Sequence, residues 1–419
     1  MVSGPSRLLC TAALVSLASS PAFAQGQQPT TRAEQIELAR RQKQATLWPE
    51  RENPLVVKAN RLIDTGFLEG IRSGQGKNGW QMVLTGMRPA QGQTFGIGYR
   101  RSDLFRDALS ARGAVSGAIS GAVLVDAELE LNRLRRAQDT FVTVYTKYER
   151  SPRTEFYGLG RDSQEEDRTG YLLQTLTGEV RTGYRFTRRL NAGFEVGFGG
   201  VHTGPVSRDD VPSIETIFDA TTAPGLFDDA KFIWWGGFAG YDARDVPRGP
   251  KRGGFYGINF RRYVDLNEDK YAHRQIDLEG QQFLPYFNET RVIALFVRAT
   301  FAYTGRDDRV VPFYMLPKLG GNFVLRGFNP YRYHDHNAFM AAVEHRWYAF
   351  TGLEMAVFVD AGKTVANKGE MHLYGMNYSG GIGLRFRIQD AVVLRFDVAR
   401  SREGVRFIWS MSDVSRRVF

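Results

Sequence analysis

Two kinds of residue in this chain could do chemistry: short clusters with ligand-like spacing, and charged side chains set at alternate positions through apolar segments. His334-Asp335-His336 is the metal-like cluster, with His345 as a distant further candidate. Alternate histidines could share a cation, but no third ligand stands at a metal-site spacing, so these residues read as exposed loop side chains and no metal is expected. Gly362-Lys363-Thr364 has the ending of a phosphate loop, yet the earlier glycine that motif needs would fall at Val357. Gly380-Gly381-Ile382-Gly383 lacks a dinucleotide-binding context, and no Gly-x-Ser-x-Gly elbow occurs. The chain is therefore expected to be neither an enzyme nor a carrier of a cofactor.

The alternating charges are more informative. From Gly381 onward Ile382, Leu384, Phe386 and Ile388 share one face of an extended segment, while Arg385 and Arg387 take the other. Val392, Leu394, Phe396 and Val398 then alternate with Arg395 and Asp397, and Val405, Phe407, Trp409 and Met411 with Arg406 and Ser410. A soluble sandwich points apolar faces inward and charges outward. Large aromatics on one face against arginine on the other, strand after strand, describe a membrane barrel with lipid outside and a polar lumen.

The elements that would position these residues follow from composition. Residues 1–24 read as a secretory signal, with Arg7, an apolar run over 8–18 and Ala22-Phe23-Ala24 before Gln25. Cys10, the one cysteine, lies inside it, which leaves the exported chain without disulfide or thiolate chemistry. No run of 18 apolar residues exists elsewhere, so no helix is expected to span a membrane. The formal charge of +10 could suggest nucleic acid, but the arginines are spread rather than clustered. Lumen-lining arginine and contact with lipid phosphate account for it better. Residues 25–78 are polar and partly helix-favouring, with a glycine-rich linker over 73–79, and read as a short periplasmic appendage. Residues 79–419 carry strand-like segments separated by turn residues. At roughly 20 residues per strand and connection they give about 16 strands, an even number as barrels require. The fold class expected is all-β: a transmembrane antiparallel β-barrel of about 16 strands after a short helical N-terminal segment.

Several loop and strand motifs then acquire a common reading. Tyr241-Asp242-Ala243-Arg244-Asp245-Val246-Pro247, with Pro250 and Gly253, forms a charged hairpin. Phe156-Tyr157-Gly158-Leu159-Gly160, Leu325-Arg326-Gly327-Phe328, Phe358-Val359-Asp360-Ala361-Gly362 and Gly381-Ile382-Gly383-Leu384-Arg385-Phe386 follow in order. Together they resemble the BamA/TamA outer-membrane assembly superfamily, the bacterial surface antigen family. Arg402-x-Gly404-x-x-Phe407-x-Trp409 is similar to the C-terminal signal read by the barrel assembly machinery, although ten residues follow Trp409.

The resemblance implies a barrel in the outer membrane of a Gram-negative bacterium that inserts or translocates proteins or perturbs lipid, with clients that the sequence does not name. Its implied partners are outer-membrane lipids, lipopolysaccharide and the barrel assembly machinery, and not nucleic acid. It also implies that Arg326 sits in a loop folded into the lumen and pairs with Asp360, an arrangement suited to a planar guanidinium and a carboxylate. Gly327 would permit close backbone approach, and Arg385 faces the same lumen. Glu344 and Asp397 read as partners of Arg346 and Arg395. Residues 25–78 leave no room for the periplasmic substrate-binding (POTRA) modules that most members carry, which is the largest departure from the family. A passive or gated pore and a structural surface barrel are the alternatives.

Overall fold

The computed structural model describes residues 78–410 apart from 87–92, 106, 132–138, 207–210, 248, 351 and 389–390, together with five positions between 32 and 39. The chain divides into Met1–Glu52 and Asn53–Phe419. In the first unit the described residues Arg32, Gln35, Ile36, Leu38 and Ala39 are helical and exposed. The signal over 1–24 and the rest of 25–77 lie outside the described residues.

The second unit is built of strands. They are β1 (Gly79–Gly86), β2 (Gln93–Leu104), β3 (Leu109–Gly117), β4 (Val123–Leu131), β5 (Thr140–Phe156) and β6 (Thr169–Arg185). There follow β7 (Leu190–Pro205), β8 (Ala230–Asp242), β9 (Gly253–Asp265), β10 (His273–Tyr286) and β11 (Arg291–Tyr303). A long connection then carries the two-residue strands β12 (Lys318–Leu319) and β13 (Tyr333–His334). The series ends with β14 (Asn337–Phe350), β15 (Leu353–Val365), β16 (Asn377–Ile388), β17 (Ala391–Ser401) and β18 (Gly404–Ser410). All but β12 and β13 join in one antiparallel sheet of sixteen strands, each paired with its neighbour in that order. This is the transmembrane β-barrel that alternation called for. Among the described residues no helix is long and apolar enough to cross a membrane, and no ladder joins β1 to β18.

Period-two alternation sets the two faces. On β15 Val357 and Val359 are exposed while Phe358 and Asp360 are buried, and on β16 Ile382 is exposed while Arg385 is buried. Lipid solvates the first set; the second can be buried only because its charges meet one another. One end of the sheet has short turns, such as 186–189 and 287–290, and the other has the long connections 157–168, 206–229 and 304–336. In barrels of this kind the short turns face the periplasm.

Adjacent aromatics divide between the two faces, and the expectation of exposed histidines is corrected. Trp235 does stand on the outer face, but Trp234 turns into the lumen and is buried, because adjacent strand residues point to opposite sides. His334 and Asp335 are buried rather than exposed, since the loop carrying them folds inward and pairs β12 with β13. The last strand is described to Ser410; Met411 and the residues after it lie outside the described set.

Candidate functional site: an arginine loop locked in the lumen

The site begins with the connection between β11 and β14. Leu325 has φ +53°, so the chain reverses sharply there and presents Arg326 to the lumen wall. Gly327 presses against β16 and β17: a Cβ there would lie 2.5 Å from Ser379 Cβ and 2.9 Å from Ser401 Cβ. The Ser401 hydroxyl donates to the Gly327 carbonyl at 2.8 Å. Phe328 is fully buried, edge-on to Tyr333 at 5.5 Å.

Arg326 is wholly buried. Its backbone N–H and Nε donate to Asp360 Oδ2, each at 2.9 Å, and Nη2 donates to Oδ1 at 2.6 Å. Nη1 donates to Glu344 Oε1 at 2.5 Å and lies 3.6 Å from Asp397. The guanidinium stacks 3.4 Å over the Phe358 ring. The sequence expectation thus named one of three carboxylates around this arginine.

Around it the inner faces of β14 to β17 form a continuous ion network. Glu344 also accepts from Arg346 Nε at 2.8 Å and Arg385 Nη2 at 2.9 Å. Asp397 lies 3.3 Å from Arg395 and 3.6 Å from Arg385, and Glu354 accepts from Arg387 at 3.1 Å. Five guanidiniums therefore share four carboxylates, all in residues less than 9 % exposed. Gly381 and Gly383 make the space. A Cβ at Gly383 would meet Asp397 Oδ1 at 2.1 Å, and one at Gly381 the Val398 carbonyl at 2.2 Å. Gly362 is similarly crowded by the Phe339 carbonyl and Leu319. The strand-motif glycines are thus places where the wall must be thin for the network to fit.

The terminal hairpin grips the loop from the other side. Arg406 of β18 donates to the Arg326 carbonyl at 2.8 Å and to the Phe328 carbonyl. Arg402 donates to the Tyr333 hydroxyl at 3.0 Å, and Arg332 Nε donates to Glu403 at 2.9 Å. Gly404 takes φ +124°, as the tight turn demands, while Phe407 and Trp409 face outward and are exposed. Arg332, fully buried, also donates to Ser163 and stacks on Tyr157 at 5.0 Å. The Gly160 N–H donates to the His334 carbonyl at 2.8 Å, so residues 156–160 cap the inward loop. Sequence reasoning missed Arg332 and Glu403. Their one sequence signal is an arginine set between Tyr331 and Tyr333, and nothing local shows that Glu403 comes within reach.

The family hairpin stands elsewhere, at the short-turn end between β8 and β9. Asp242 accepts a bidentate pair from Arg244, at 2.9 Å for each contact. Asp245 collects backbone N–H groups from Val246, Lys251 and Arg252. Pro247 lies within this turn and Tyr241 faces outward at the end of β8. Gly253 has φ +85°, and a Cβ there would meet the Ala243 carbonyl at 2.0 Å, so only glycine fits. This hairpin also ties into the edge of the network: Arg387 Nη2 donates to the Gly249 carbonyl at 2.7 Å.

His345 does not join His334 and His336: it faces outward, with Nε2 2.5 Å from the Tyr286 hydroxyl. Among the described residues no group of three potential ligands converges on a metal site. Away from the lock, along β3 to β9, lies a cavity of about 580 Å³ lined by Arg112, Glu128, Tyr145, Glu179, Arg181 and Phe238 among others. A smaller one of about 260 Å³ lies under Tyr314 and Met315 of the loop.

Comparison with known proteins yields one family and a set of structural neighbours. The Omp85 superfamily domain matches residues 77–408. No curated protein matches by sequence. Among solved structures, BamA from Haemophilus ducreyi lacking POTRA domains 1–3 superposes with a TM-score of 0.60 at 15 % identity. That alignment covers 85 % of this chain and 78 % of the other. CdiB from Escherichia coli gives 0.51 at 12 % identity, over 83 % of this chain and 69 % of that one.

Proposed function

The chain belongs to the Omp85 superfamily, and from that premise we propose that this outer-membrane barrel inserts or translocates polypeptides by parting its first and last strands. The observation that carries the reading is the state of those two strands. β1 and β18 share no ladder among the described residues, although every other neighbouring pair in the sheet does.

A sheet edge in hydrocarbon must have its backbone groups paired, and a strand of an incoming polypeptide would extend the sheet at β1 or β18 through the same kind of ladder. The work is mechanical rather than enzymatic, and the loop lock serves to hold one side of the seam in register.

The test is a disulfide across the seam. Met82 and Phe407 both face outward on β1 and β18, and cysteines there would close it. Proteoliposomes holding the oxidised double variant should insert an unfolded eight-stranded barrel at the protein-free rate, and reduction should restore insertion. Equal rates in both states would reject the proposal, and a large steady conductance unaffected by locking would favour a pore instead.

A further inference from the structure

The lipid-facing side of the sheet at its short-turn end holds polar side chains that neither the loop lock nor the seam employs. Arg291 opens β11 and lies in register opposite Tyr286 of β10 and Trp347 of β14. Alternation with the exposed residues Leu284, Ile293 and Val343 places all three on the outer face. One row deeper, His345 is opposite Ile293. Its ring stacks on Tyr286 at 5.8 Å and on Trp347 at 5.3 Å, and its Nε2 meets the Tyr286 hydroxyl.

Arg291 is exposed, with its guanidinium 4.7 Å over the Phe287 ring. Among the described residues no carboxylate pairs with it; Glu289, two positions away, is taken by Arg252. A cation on the lipid face of a barrel needs an anionic acceptor at its own depth. The row of Tyr286, Phe287 and Trp347 marks that depth as the headgroup level, where amphipathic rings collect. The acceptor available there is the phosphodiester of a phospholipid, whose oxygens match the guanidinium fork. Acyl chains would run along Leu284, Ile293 and Val343.

We infer that Tyr286, Arg291, His345 and Trp347 form a phospholipid site, with Arg291 holding the phosphate and the rings framing the glycerol region in the leaflet that meets the short turns. The site rests on the barrel fold alone and stands whether or not the seam opens.

Full-length protein, stripped of lipid in a non-ionic detergent, would be titrated with palmitoyl-oleoyl phosphatidylglycerol and followed by native mass spectrometry. Faster gel migration of unheated samples would verify folding. Arg291→Ala should weaken the first lipid-bound state about tenfold, the loss expected on removing a charge-assisted hydrogen bond. Arg291→Lys, which keeps the charge and loses the fork, should weaken it by a smaller factor, and is the variant to read if the alanine protein does not fold. Water-soluble glycerol phosphate in about hundredfold excess should leave the lipid bound. Unchanged affinity in the folded variant, or displacement by glycerol phosphate, would overturn the assignment.

Discussion

Glu344→Gln is the substitution on which the account of the lock depends most. The carboxylate accepts hydrogen bonds from Arg326, Arg346 and Arg385, while Asp397 meets its three guanidiniums at 3.3 to 3.6 Å. Glutamine keeps the shape and removes the charge, so five guanidiniums would face three carboxylates and the buried excess would rise from one positive charge to two. Breaking a buried pair by removing one partner costs roughly 3 to 5 kcal/mol, and Glu344→Gln should fall in that range. Arg326→Ala should cost a similar amount, because Asp360 would lose two guanidinium donors and keep only the backbone N–H. The double variant restores a four-to-three balance and should be more stable than the sum of the singles by about 1 to 3 kcal/mol. Urea unfolding in detergent micelles, read by tryptophan fluorescence and by gel mobility, would supply the four free energies. If Glu344→Gln stays within about 1 kcal/mol of the parent, or if the two changes add without coupling, the network does not act as one electrostatic unit and the reasoning fails.

Three further outcomes are expected. Gly383→Ala drives a methyl group into Asp397 and Arg385 and should destabilise the barrel by about 2 kcal/mol or more in the same assay. Arg406→Ala leaves two buried loop carbonyls without a donor, at about 1 to 3 kcal/mol each; hydrogen exchange over residues 318–334 should accelerate while β5 to β7 stay protected. His334 lies in the inward loop, outside the membrane-crossing strands. Burial, with the Lys318 ammonium nearby, holds its imidazole well below the usual range. The folded protein therefore refuses a proton that the unfolded chain accepts, so this contribution is complete above pH of about 6.5 and declines below it. The fall in unfolding midpoint between pH 7 and 5 should shrink in His334→Phe.

Alternation alone was enough to place Asp360, Arg385, Arg395 and Asp397 on one inner surface, because a strand commits each residue to a face once its neighbours are assigned. It also gave the barrel class and the approximate strand number. The path of the loop was another matter. Nothing local to residues 304–336 says that the segment turns inward, so His334 and Asp335 read as exposed when they are buried. Likewise the pairing of Arg332 with Glu403 joins residues 71 positions apart, and only the folded loop brings them together. Glu344 looked like a simple partner of Arg346, two residues along the same strand. Its larger role depends on one other strand, β16, and a loop converging on it, which no window of sequence displays.

The arginine turn is fastened unevenly around the circumference. Its contacts reach β14, β15, β16, β17 and β18, and among the described residues none of its hydrogen bonds reaches β1 to β4. The seam thus resembles a doorway with a bolted jamb and a hinged leaf. Force applied there would be resisted by five cross-braced strands on one side and met on the other by a flank held through its neighbouring strands, so the β1 flank would be the one to swing.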